Sequence, residues 1–255
     1  MVGYADDTTF FVNTDLSLEC IFNILNQFGM ASGIQVNTKK TKIFGFGMWK
    51  DREDWPISDL KIEKSEIKIL GITFCRDIEQ AIDISWKEIL SKIKIATRLL
   101  SGRRLTLYQR AIVINSLILS KVWYTAHTYP MPAKFSKLIQ KEIFEYLWQS
   151  KANPIKREVV YQSKTKGGLG IFNVFLKTQC ILTSTFLKHF LVSKENDSFL
   201  KLFCAIRLNP VFNIRELPEN VTYISPWYLN VAINNIRKFL HIKNFPNIKS
   251  LDSII

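Results

Sequence analysis

The sequence predicts an α+β fold in which short β-hairpins near the N-terminus precede a run of amphipathic helices. Three observations lead there. Tyr4-Ala5-Asp6-Asp7 lies between apolar Met1-Val2 and the β-rich run Thr8-Thr9-Phe10-Phe11-Val12, which reads as two extended segments around a tight acidic turn. Ile67-Lys68-Ile69-Leu70-Gly71-Ile72-Thr73-Phe74 has the same form, with Leu70-Gly71 at its turn. From residue 85 onward apolar residues recur at helical spacing instead. At 255 residues and 47% hydrophobic, the chain can bury a core in one or two domains.

Each element follows from local chemistry. Neighbouring residues on a strand point to opposite faces, so a turn is what lets Asp6 and Asp7 reach one volume. Two carboxylates so placed suit Mg²⁺, which takes hard oxygen ligands, although aspartates also favour turns for purely local hydrogen bonding. Residues 16–31 carry Leu18, Ile21, Phe22, Leu25 and Phe28 at helical spacing. Ser85 is expected to cap a helix with Trp86, Ile89, Leu90, Ile93, Ala96, Leu99 and Leu100 inward, stopped by Gly102. Thr106 and Gln109 fit a capping box, and the helix that follows, to about residue 126, has Ile112, Val113, Leu117, Val122 and Trp123 apolar. Pro130 and Pro132 break the chain. A third helix presents Phe135, Leu138, Ile139, Ile143, Tyr146 and Leu147, completing a small antiparallel bundle. Trp86, Trp123 and Trp148, at helical spacing, read as core before they read as stacking platforms for bases. Lys164-Thr165-Lys166-Gly167-Gly168-Leu169-Gly170 lacks the order of a nucleotide P-loop and reads as a tight loop before a helix at 174–191. Residues 194–226 read as loop, and 227–240 as a last helix.

Charge divides the chain. Residues 1–80 carry 9 basic and 12 acidic side chains, whereas residues 81–190 carry 18 against 5. That middle segment alone accounts for the formal +13 of the whole, a single-sign field that suits nucleic acid better than an ordinary solvated surface. Lys92, Lys94, Arg98, Arg103, Arg104 and Arg110 are the candidates for phosphate contact. The longest apolar run, residues 111–119, is interrupted by Asn115 and Ser116 and closed by Lys121, so no membrane span is expected. The four cysteines (20, 75, 180 and 204) form no C-x-x-C pair and read as reduced core thiols. Without a recognisable signal peptide, an intracellular protein of the cytoplasm and/or nucleus is expected.

Motif order adds a resemblance. Tyr4-Ala5-Asp6-Asp7 resembles the YxDD motif of reverse transcriptases, and three further blocks follow it in family order. Ser32-Gly33-Ile34-Gln35-Val36-Asn37-Thr38-Lys39-Lys40-Thr41-Lys42 resembles the next palm motif. The Leu70-Gly71 hairpin resembles the primer grip, with Ile69 in the usual tyrosine position. Trp148, Pro154 and Lys166-Gly167-Gly168-Leu169-Gly170 resemble the block that follows the thumb in reverse transcriptases of non-LTR (LINE-type) retrotransposons. The resemblance covers residues 1–190 and implies part of a palm at 1–80, a helical thumb at 81–150 and a post-thumb segment at 151–255. It implies an enzyme that extends a DNA primer on an RNA template with Mg²⁺, bound by Asp6 with Asp7 assisting. Tyr4 would abut the primer end, and Leu70 and Gly71 would set a tight turn against the primer. Lys40 would act on the leaving pyrophosphate, its register against Lys39 open by one. In this family the fingers and another metal-binding aspartate precede YxDD. The chain therefore looks like a C-terminal piece, inactive alone. The alternatives are a non-catalytic nucleic-acid-binding remnant and a degenerate transposon product.

Overall fold

The computed structural model describes residues 2–57 and 60–192. The expected loop at 194–226, the last helix at 227–240 and Cys204 lie outside the described residues. Two compact units are present, one of Met1–Ser85 and one from Trp86 onward.

The first unit opens with β1 (Val2–Tyr4) and β2 (Asp7–Thr9), antiparallel with Tyr4 opposite Asp7. Helix α1 (Asp15–Ser32) follows, its first turn capped by the Thr14 hydroxyl, which accepts from the Ser17 amide at 3.2 Å. Of the expected apolar stripe Leu18 is buried, Ile21, Phe22 and Leu25 are half-buried, and Phe28 is exposed. β3 (Lys42–Phe44) pairs in parallel with β4 (Lys61–Glu63), a pairing between distant segments that local pattern does not announce. The connection between them is pinned by Arg52. Its guanidinium forks onto both oxygens of Asp15 at 2.7 and 2.8 Å and packs 4.7 and 5.0 Å from the rings of Trp49 and Trp55. β5 (Glu66–Ile69) and β6 (Ile72–Cys75) form the expected second hairpin.

The boundary between units falls inside α2 (Ile78–Ser101). This helix starts eight residues earlier than a Ser85 cap suggests, because Asp77 caps it: the Asp77 carboxylate accepts from the Glu79 amide at 3.0 Å. Ser85 is instead a buried helical residue whose hydroxyl has no partner among the described residues. Leu99, expected inward, is 75% exposed. Thr106 and Gln109 make the full capping box at the start of α3 (Leu107–Val113). A wide turn, Ile114–Ile118, then interrupts the helix before α4 (Ser120–Ala126), with the Leu119 amide donating to the Ile114 carbonyl at 2.8 Å. The extra residue shifts the helical phase. Ala111, Ile114, Ile118, Leu119 and Val122 are buried, while Ile112 and Leu117, expected to pack, face out.

Helix α5 (Ala133–Trp148) buries Phe135, Ile139, Ile143, Phe144, Tyr146 and Leu147, though Leu138 is exposed. Trp86 is core, fully buried, and its indole donates to the Pro130 carbonyl at 2.9 Å. After the short α6 (Arg157–Tyr161) comes the glycine-rich loop and then α7 (Val174–Val192), close to expectation. A Cβ on Gly168 would sit 2.1 Å from the Gln162 carbonyl oxygen, so only glycine allows this close passage. Asn115 holds the loop, donating to the Gly170 carbonyl at 2.9 Å and accepting from the Phe172 amide at 3.2 Å. Of the described cysteines only Cys75 is in the core; Cys20 and Cys180 are exposed, unlike the expectation. No helix among the described residues is long and apolar enough to cross a membrane.

Candidate functional site

The first hairpin closes in two residues, Ala5 and Asp6, with Ala5 at φ +53°. A positive φ at the first central position belongs to the primed turns that match strand twist, and alanine adopts it only against steric resistance. Asp6 is therefore a turn residue and Asp7 the first residue of β2, both exposed. The tip presents two hard carboxylates to solvent, and Tyr4, opposite Asp7, is 71% exposed beside them. Among the described residues, no group of three or more His, Cys, Asp or Glu side chains is placed to hold a metal. The donor set fits an ion that takes two protein carboxylates and fills its remaining positions with water and phosphate oxygens.

The second hairpin is built alike. Leu70 has φ +47° and Gly71 φ +81°, the pair of positive angles that a type I′ turn requires. Glycine takes this conformation freely, while leucine is held there at a steric cost, and Leu70 is 38% exposed at the tip. Two hairpins in one unit thus each keep a non-glycine residue in a left-handed conformation at the apex.

Lys40 stands in the loop after α1, where Asn37 organises the backbone. The Lys40 amide donates to the Asn37 side chain at 3.2 Å, and Thr41 donates twice to the Asn37 carbonyl. Lys39 and Lys40 are exposed. Lys42 is engaged elsewhere, sharing Glu63 with Lys61 at 2.8 and 2.9 Å. The Lys42 hydrogen bond is the main reason the Glu63 carboxyl lies below the ordinary range.

The basic candidates lie in the second unit. Lys92 approaches Glu88 at 3.9 Å on α2, and Arg98 is exposed on the same helix. Arg103 and Arg104 follow the end of α2 and are exposed. Arg110 is half-buried and donates to the Leu147 carbonyl at 3.0 Å, so part of its donor set secures the end of α5. Trp123 is half-buried, edge-on to Phe172 with 6.2 Å between centroids, and Lys177 lies over both rings. Burial lowers the ammonium pKa of Lys177. Tyr146 is buried as expected, whereas sequence reasoning missed Gln149, which donates to the Ser101 carbonyl, and Asn115 as a clamp. For Asn115 a signal existed: an amide inside the longest apolar run needs a buried partner.

Paired carboxylates thus stand exposed at a strained hairpin tip, in a chain whose second half is strongly basic. Residues 1–74 match the family model of reverse transcriptase (RNA-dependent DNA polymerase). The match spans both hairpins, α1 and the Asn37 loop, and supports an RNA-directed DNA polymerase with nucleic-acid substrates.

Proposed function

We propose that the chain is the C-terminal part of a LINE-type reverse transcriptase, with palm residues at 1–80, a thumb at 81–150 and a post-thumb segment beyond. The observation that carries this reading is the family match across residues 1–74 together with Asp6 and Asp7 at the hairpin tip inside it. Asp6 ligates Mg²⁺, Asp7 assists, and Tyr4 abuts the primer end. Held there, such an ion would supply charge neutralisation to the phosphates during displacement of pyrophosphate. Leu70 and Gly71 press their turn against the primer, whose 3′ hydroxyl must face the α-phosphorus of the incoming nucleotide. Lys40 donates charge or a proton to the departing pyrophosphate. Lys92, Lys94, Arg98, Arg103, Arg104 and Arg110 bear on backbone phosphates of the RNA–DNA duplex. The protein works inside the cell, in the cytoplasm or nucleus.

Two-metal phosphoryl transfer needs shared carboxylates that hold two ions about 3.5–4 Å apart. Asp6 and Asp7 supply part of that set, so a further acidic residue from another segment completes it. The 255-residue chain alone is then expected to show no primer extension on a primed RNA template with Mg²⁺ or Mn²⁺. Template-dependent incorporation that disappears in Asp6→Asn would show that the chain already holds a complete site. The excess of basic residues in 81–190 favours one second reading, a nucleic-acid-binding remnant without catalysis. Duplex binding without any Asp6-dependent chemistry in a completed enzyme would select it.

A further inference from the structure

Helix α7 is apolar on more than one side. Of its 19 residues only Lys177 and Lys188 are charged, and none is acidic. A surface helix normally carries one apolar stripe opposite a polar face, whereas a helix apolar all round is covered on both sides. One side of α7 is accounted for: Val174, Thr178 and Leu182 are buried, and the helix packs against α4 and α5. The other is open. Leu176 is 60% exposed, Phe172 and Phe175 are exposed beside it, and so is Cys180. Leu176 and Cys180 share a face four residues apart, about half a helical circuit from Val174 and Thr178. Lys177 takes its charge away from this stripe, since its ammonium folds back to 3.3 Å from the Phe172 ring centroid and 4.4 Å from that of Trp123. What faces outward from Leu176 to Cys180 is hydrocarbon and a thiol.

The sequence after α7 supplies a matching stripe. Leu229, Ile233, Ile236 and Leu240 recur at helical spacing, with Asn230, Asn234, Arg237 and Lys238 between them. That apolar stripe is uncharged, as is the open face of α7, so the two suit each other by hydrocarbon contact and need no ion pair. The 34 residues from 193 to 226 are ample to bring one back along the other. Area favours a tethered occupant over a second chain. A stable pair of chains buries roughly 1,200 Å² or more in total, beyond what four partly exposed side chains provide. A segment of the same chain meets the face at an effective concentration of about millimolar and needs far less contact.

We infer that the open face of α7 at Phe172, Phe175, Leu176 and Cys180 is the docking surface for residues 227–240 of the same chain, which lay Leu229, Ile233, Ile236 and Leu240 against it. This intramolecular contact is independent of the polymerase reading, because it rests on the apolar pattern of two segments outside the family match.

The test uses the full chain and follows alkylation of its thiols, resolved residue by residue by mass spectrometry. Cys180 is expected to react about tenfold more slowly in the wild-type chain than in Ile233→Asp/Ile236→Asp, which sets two carboxylates in the apolar seam. Asn234→Asp adds a charge on the polar side of the segment and should leave the Cys180 rate as it is. Cys20, exposed in the first unit, should react alike in all three proteins. Leu176→Asp is the reciprocal change at an exposed position, so it spares the core, and it should speed tryptic cleavage after Arg237 and Lys238 about tenfold. Equal Cys180 rates in the wild type and Ile233→Asp/Ile236→Asp overturn the inference, as does cleavage indifferent to Leu176→Asp. Protection of Cys180 that fades on dilution also overturns it, by assigning the face to a second copy of the chain.

Discussion

In the first unit α1 buries only Leu18 fully and leaves Leu16, Ile24 and Met30 largely exposed, while charge pairs join distant segments. Arg52 reaches Asp15, Glu63 takes both Lys42 and Lys61, and Lys64 meets Glu53. In the second unit Trp86, Ile93, Ile114, Ile118, Val122, Ile139 and Leu147 have no solvent exposure at all. Apolar burial is non-directional and insensitive to pH, whereas ion pairs depend on geometry and ionisation. The unit that carries the acidic tip is therefore the one whose order depends on conditions. The basic unit carries its exposed cations on a tightly packed helical core.

Truncating the apolar core should have the largest effect on that contrast. Ile139→Ala removes a fully buried side chain and should cost about 2–5 kcal/mol. Denaturant unfolding followed by fluorescence should show the loss in the helical unit, with the hairpins' amide protection unaltered. A cost below about 1 kcal/mol would mean that the second unit is less tightly packed than its burial implies.

Acid should separate the units with a smaller effect and the opposite order. Hydrogen bonds from Arg52, Lys64 and Lys42 hold the carboxyls of Asp15, Glu53 and Glu63 below their ordinary values. A depressed folded pKa gives stability that is present above the unfolded value and lost as pH falls through the folded one. Below pH ~4 the first unit should loosen before the second. Amide exchange at pH 3 and pH 6 checks this. Equal loosening of both units would deny the ion pairs their role, and these exposed pairs should also weaken with added salt.

The same contrast explains what was legible in the sequence. Both hairpins, the Thr106–Gln109 box and the outlines of α1, α5 and α7 carry local signals: turn residues, caps and periodicity. Asp77 was overlooked because Ser85 stood nearer the clearest apolar stripe. The extra residue in the Ile114–Ile118 turn sets a new helical phase, which turns Leu117 outward and Ile118 and Leu119 inward, and nothing local announces it. Nothing local signals that Lys42 pairs with Lys61, that Arg52 seeks Asp15, or that Gln149 reaches the Ser101 carbonyl, since each depends on tertiary closure. Of the candidate site, the Asp6-Asp7 tip could be read directly, whereas the contact of Gln149 could not.

The proposed role of Asp6 as holder of a catalytic ion is tested most directly by single-nucleotide addition. The chain is joined in frame to a segment carrying the further aspartate that the proposal calls for, and addition to an RNA-templated DNA primer is timed with Mg²⁺. Asp6→Asn keeps nearly the same shape and removes a charged ligand, so the rate should fall to background while duplex binding persists. An Asp6→Asn protein that retains the full rate would contradict the account.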